Sequence, residues 1–139
     1  MPPVELNWLA IVVAAAVHFL LGGLWYGLLL AKPWMRAMGW APGREMTQEE
    51  KRRAPPGYAM SLVGAFIAAT VLSMTLDWIG ERRVLNGALL GLMYSLAFHV
   101  AFAAPNSWFE NRPPALLAIN ASYNALGMAL MGGILAAWQ

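Results

Sequence analysis

LNWLAIVVAAAVHFLLGGLWYGLLL, residues Leu6–Leu30, runs for 25 residues without a Lys, Arg, Asp or Glu. A helix needs about 20 mainly apolar residues to cross a hydrocarbon core of about 30 Å, so the stretch reads as a membrane span. Three further stretches qualify in the same way: Tyr58–Ile79, Val84–Ala104 and Pro114–Trp138. Within the four, the only charged side chain is Asp77, in the last turn of the second. The expected fold is all-α, an integral membrane four-helix bundle with up-down-up-down connections. It forms one transmembrane domain over residues 1–139, with a single sizeable loop at 31–57.

Composition agrees, with 60% hydrophobic and only 12% charged residues. An ordinary soluble domain carries about 25% charged residues. The net charge of +2 is spread over loop ends and forms no basic stripe, so nucleic acid is not an expected partner. The absence of cysteine excludes disulfides, thiolate metal sites and cysteine nucleophiles. The segment Met1–Glu5 has no Lys or Arg, and the apolar run behind it is longer than the core of a signal peptide. The first span is therefore expected to be retained.

Charge sets the orientation. The first loop holds Lys32, Arg36, Arg44, Lys51, Arg52 and Arg53, and the third adds Arg112, whereas the opposite face has only Arg82 and Arg83. The excess of basic residues puts the first and third loops in the cytoplasm and both termini outside. Aromatic residues agree, with Trp8, Trp78 and Trp138 at the outer ends and Trp25, Tyr26, Trp34, Tyr58 and Trp108 near the inner ends. Such girdles anchor helices at headgroup depth. Within the first loop, Lys32–Trp40 reads as an amphipathic segment lying on the lipid surface, with Pro33 in its first turn. Thr47 and Glu50 have the spacing of a capping box, and Pro55-Pro56-Gly57 is expected to end that short element before the second span.

Small and polar residues mark the faces on which the spans meet, because helices in lipid associate through close approach and polar contacts. The stripes are Asn7, His18, Gly22 and Trp25 in the first span, and Ser61, Gly64, Ala65, Ala68 and Thr75 in the second. Gly87, Gly91, Tyr94 and Phe98 form that of the third, and Asn120, Asn124, Gly127 and Met131 that of the fourth. Gly87 and Gly91 make a G-x-x-x-G pair, expected to pack mainly within the chain. Its edge and the Gly132-Gly133 step are expected to stay partly available to a neighbour.

Polar side chains inside the spans are the only candidates for chemistry. His99, Asn120, Tyr123, Asn124 and Tyr26 all fall in the inner half, where they form either interhelical glue or a path for a solute or proton. His18 lies near the middle of the first span, and Ala14 and Gly22, four residues to either side, leave a flat space beside it. A neutral imidazole there suits an axial position on haem or bacteriochlorophyll; a packed, hydrogen-bonded histidine is the plainer reading. No H-E-x-x-H, phosphate-binding loop, G-x-S-x-G or pair of intramembrane carboxylates occurs, so no enzymatic activity and no metal site is expected.

The stretch Gly23–Met35, Gly-Leu-Trp-Tyr-Gly-Leu-Leu-Leu-Ala-Lys-Pro-Trp-Met, resembles the G-x-L-W-Y-x-x-x-L-x-x-K-x-W-M signature of a widespread bacterial group. That group consists of small four-span membrane proteins catalogued as a domain of unknown function. Phe109-Glu110-Asn111-Arg112-Pro113 is similar to its F-E-x-R-P loop, and Ile119-Asn120-Ala121-Ser122-Tyr123 to its I-N-x-x-Y start of the fourth helix. Met131–Trp138 resembles its closing stretch. The group often has an aromatic residue or His after the Tyr123 position, where this chain has Asn124. The resemblance implies four helices and an inner-membrane address, and no known activity. The sequence thus favours a non-catalytic accessory or assembly subunit that binds other membrane polypeptides laterally, in a respiratory or photosynthetic complex or with copies of itself. The alternatives are a small oligomeric permease or channel and, third, a tetrapyrrole protein built on His18.

Overall fold

Asn7 starts the first helix by accepting the Ala10 amide on its Oδ1 at 3.1 Å, and its Nδ2 donates to the Trp138 carbonyl at 2.9 Å. The two ends of the bundle are thereby tied together at one membrane face. The computed structural model describes residues 3–138 and contains, among them, four helices long and apolar enough to span a bilayer: Trp8–Leu29, Gln48–Ile79, Val84–Phe109 and Pro114–Ala137. Met1, on which the expected segment Met1–Glu5 begins, lies outside the described residues. The chain is an all-α, multi-pass membrane protein. Ring contacts between Trp8 and Phe66 and between Phe19 and Tyr58 run the first two spans antiparallel. The fourth span packs against each of the other three, most intimately against the third.

The helices depart from the expected bounds at prolines. Thr47 and Glu50 do form the capping box, with Glu50 N donating to Thr47 Oγ1 at 3.2 Å and Thr47 N donating to Glu50 Oε2 at 2.8 Å. Pro55-Pro56-Gly57, however, ends nothing: the helix continues from Gln48 to Ile79. Two prolines remove the amides that would bond the carbonyls of Lys51 and Arg52, and both residues are exposed, so those carbonyls are open to solvent. The third span likewise continues past Ala104, through Pro105, to Phe109. Its end is a left-handed cap at Asn111 (φ 54°), where Arg112 N donates to the Ser107 carbonyl at 2.9 Å. Gly80 (φ 65°) ends the second span in the same manner, and Glu81 N donates to the Leu76 carbonyl at 3.0 Å.

The first and third spans each contain a wider turn with i→i+5 bonding, at Trp25–Leu29 and at Ser95–Val100. Such turns are rare and gather at functional sites. Here both lie toward the loop face, the side carrying the first and third loops.

The dry core sits in the opposite half, toward the termini. Ala10, Ile11, Ala14 and Ala15 pack there on Ala65, Ala69, Leu72 and Leu76 and on Met131, Leu135 and Ala136. Gly87 and Gly91 press against the fourth span so closely that a Cβ on Gly91 would fall on the Met128 carbonyl and one on Gly87 on that of Gly132. Gly133 is in turn covered by Val84 and Ala88. The expectation that the G-x-x-x-G edge and the Gly132-Gly133 step stay available to a neighbour is therefore overturned. Both are used within the chain, because only glycine permits this backbone approach.

Toward the loop face the bundle opens. The second and third spans are joined by Thr75 and Tyr94, whose hydroxyls lie 2.8 Å apart. With the Thr75 proton on the Val71 carbonyl at 2.9 Å, Tyr94 is the donor. Nearer the loop face, Gly64, expected on a packing stripe, has nothing within 4 Å of where a Cβ would stand. Phe98, expected to continue the stripe of the third span, is 68% exposed. The wide turn explains the exchange. Residues four apart drift around an α-helix, and the slower turn offsets the drift, so that Gly87, Gly91, Ser95 and His99 share the inward line.

Candidate functional site

Tyr26 stands in the wide turn of the first span and His99 in that of the third, with Asn120 and Asn124 on the fourth span between them. The Tyr26 hydroxyl donates to Asn120 Oδ1 at 2.8 Å. Asn124 Nδ2 donates to the Asn120 carbonyl at 3.0 Å and lies 3.2 Å from His99 Nε2. With the amide so oriented, Nε2 faces the Asn124 amide and Nδ1 is left for another partner. Tyr123 completes the group: its hydroxyl donates to the His18 carbonyl at 3.1 Å, and its ring lies 5.3 Å from Tyr26 and 4.9 Å from His18. The five polar residues singled out in the inner half, Tyr26, His99, Asn120, Tyr123 and Asn124, thus form one connected network, joined through Tyr123 to His18.

Trp25 and Tyr26, expected both near headgroup depth and on the packing stripe and in the polar cluster respectively, turn inward. Trp25 Nε1 donates to the Ile119 carbonyl at 3.3 Å, across to the start of the fourth span. Trp108, by contrast, is 82% exposed, as an anchor should be.

His18 is packed. Its ring lies against Gly127, where a Cβ would collide with it, and the space over Gly22 is filled by the Tyr123 hydroxyl and ring. A planar macrocycle therefore does not fit beside His18. The histidine's Nδ1 is buried beside the Gly127 backbone. Gly22 and Gly127 serve as sockets for Tyr123 and for His18.

Two cavities meet at His99. One, of about 240 Å³, opens at the loop face between the third and fourth spans, with Asn106, Ser107, Leu116 and Asn120 in its walls and Glu110 and Arg112 beside them. The half-exposed ion pair of Glu110 and Arg112, at 2.5 Å, is held by the left-handed cap at Asn111. The other, of about 280 Å³, runs deeper between the second and third spans and is lined by Ala68, Val71, Tyr94, Ser95, Phe98, Asn124 and Met128. Ser95 is 2% exposed, and its hydroxyl has no partner. Among the described residues only His18 Nδ1 shares that condition.

A third space of about 420 Å³ lies behind Tyr26 and Tyr123, walled by Phe19, Trp34, Trp40, Tyr58 and the bare Gly23 and Gly27. The first loop closes it. The short helix Ala31–Ala37 brings Trp34 to 5.9 Å from Tyr26 and 5.2 Å from Trp40. Arg44 lies 4.4 Å over Trp40 and pairs with Glu50 at 2.8 Å. Contact with Arg44, and the Thr47 amide, hold the Glu50 carboxyl below its ordinary pKa. In the segment expected to lie on the lipid surface, Trp34 thus packs against Tyr26 and Trp40, while Met38 is exposed.

Sequence reasoning missed Ser95, although it stands four residues before His99. It also missed Glu110 with Arg112 as the rim of a cavity. Spacing alone carries a faint signal for Ser95, and none for the rim, which depends on the third helix continuing through Pro105.

Neither a curated protein nor a solved structure matches the chain. Residues 9–136 match the family described as Protein of unknown function (DUF1761), and the chain belongs to that family.

Proposed function

We propose that this protein is a small non-catalytic permease, which takes a small polar solute into the cleft of its loop half and works as an oligomer. The observation that carries this reading is the position of His99 between the two cavities, one open at the loop face and the other lined in part by Ser95, whose buried hydroxyl has no partner. Polar groups at membrane depth are tolerated where they line a cavity, and an unmet one is a place for a guest molecule. The Leu72, Leu76, Met131 and Leu135 core closes the route toward the termini, so the form described is that of a carrier open on one side. The gap between the second and third spans faces lipid, and a second copy of the chain is the occupant that would shield it. Following the basic count, the loop face is taken as cytoplasmic and the membrane as the bacterial inner membrane, with both termini outside.

The test is uptake of a panel of labelled polar solutes, ions included, by liposomes holding the purified protein. Ser95→Leu, which adds bulk beside the deeper cavity, should strongly reduce uptake, whereas Gly64→Leu, in open space, should leave it intact. Equal uptake by empty liposomes would end the reading. Orientation is tested separately in intact cells, where an impermeant thiol reagent should label Glu5→Cys and not Arg44→Cys.

A second reading, an accessory subunit that binds another membrane polypeptide, is favoured by the open space beside Gly64 on the second span and the exposed Phe98 on the third. It loses the glycine edge that suggested it from sequence. Crosslinking in native membranes distinguishes the two, since a second protein recovered in fixed proportion supports the subunit.

A further inference from the structure

The two cavities that meet at His99 have a chemistry more specific than polarity. No Asp, Glu, Lys or Arg stands in their walls beyond the mouth. His99 offers Nδ1, because Nε2 faces Asn124. Asn120 offers its amide nitrogen, because its Oδ1 is occupied by Tyr26. Ser95 offers a hydroxyl that both donates and accepts, and Asn124 offers its amide oxygen, its nitrogen being used on both sides. The only formal charges are Glu110 and Arg112 at the loop-face mouth, and they are spent on each other.

An ion moving inward past that rim meets no countercharge and only a few dipoles. The desolvation of a charge in a low-dielectric site is the largest of the penalties at stake, and a handful of neutral groups does not offset it. A neutral molecule with several hydroxyl or amide groups has far less hydration to lose. It also finds donors and acceptors without a partner in the chain, and a bond to the buried Ser95 hydroxyl would satisfy a group left unmet. Cavities of about 240 and 280 Å³ suit a guest of a few heavy atoms.

We infer that the solute recognised at His99, Ser95, Asn120 and Asn124 is a small uncharged molecule bearing hydroxyl or amide groups, and that ions and protons do not pass. This rests on the permease reading given above, and the experiment separates the two. Liposomes containing the full chain are supplied with labelled glycerol or urea. In parallel they are supplied with sodium, potassium and chloride salts and with a pH gradient, read by ion- and pH-sensitive dyes.

The expected result is protein-dependent uptake of glycerol or urea with no ion or proton signal. Ser95→Leu should reduce that uptake by about tenfold or more, the effect of over-filling a packed site. Ser95→Thr, which keeps the hydroxyl, should retain most of it. A protein-dependent ion or proton flux, with or without neutral uptake, would overturn the neutral selectivity while leaving the permease standing. No flux of any kind, from protein shown to be folded by its melting transition, would remove the permease and this inference with it.

Discussion

The two halves of this bundle use the same helices for opposite ends. Toward the termini, glycine and alanine bring backbones into contact and leave a dry core of Leu72, Leu76, Met131 and Leu135. Toward the loops, the same spans widen through i→i+5 turns and Tyr26, His99, Asn120 and Asn124 line open space. Small residues are plentiful in both. What differs is whether anything stands opposite them: Gly91 faces the Met128 carbonyl, whereas Gly23, Gly27 and Gly64 face nothing within 4 Å. A small residue is a packing device only where a partner backbone is near, and otherwise it is a wall without a side chain.

The sharpest way to break this contrast is to add the same bulk to each half. Gly91→Val should lower stability by about 3 kcal/mol or more, because its branches would have to displace the Met128 backbone. Gly64→Val should change it by less than about 0.5 kcal/mol. Thermal unfolding in mild detergent compares the two, and an equal loss in both would mean that the loop half is as tightly packed as the terminal half. In the polar network the effect should be intermediate. Asn124→Leu removes the bonds to His99 and to the Asn120 carbonyl and should destabilise by about 0.6–2 kcal/mol. An unchanged melting profile would make these contacts incidental.

Thr75→Val tests the seam between the halves. It removes the acceptor for the Tyr94 hydroxyl and should cost about 0.6 kcal/mol. Faster amide exchange at Ala68–Leu72 would show the cleft opening further, and no change would place the hinge elsewhere.

Smallest is an effect of acid at the terminal face. Hydrogen bonds from the Arg83 and Asn86 side chains hold the Glu81 carboxyl at a pKa of about 2, below its ordinary 4.5. A depressed carboxylate contributes its full stability above the ordinary value and loses it as pH falls from 4.5 toward about 2. Glu81→Gln should therefore flatten the dependence of the melting temperature on pH in that window, and an unaltered slope would exclude Glu81 as its source.

Four spans, their alternation and the capping box at Thr47 and Glu50 were legible in the sequence because each depends on hydrophobic length or on contacts within four residues. The polar candidates were legible too, since a membrane span has few polar side chains and those it has must turn from lipid. What eluded sequence reasoning depends on what stands across the bundle. Pro55, Pro56 and Pro105 read as breaks, yet helix continues through each, and at the Pro55-Pro56 pair the orphaned carbonyls belong to exposed residues. The flat space beside His18 was real in the helix and is occupied in the bundle by Tyr123, which comes from 105 residues away.

The chain by itself determined that it is a membrane bundle and which side chains carry its polarity, because transfer into lipid is decided residue by residue. Only the tertiary structure decided which glycines are seams and which are gaps, that Ser95 belongs with His99, and that one half is sealed and the other open. Those facts are relations between helices, and no periodicity within a single helix encodes the turn or the partner that completes them.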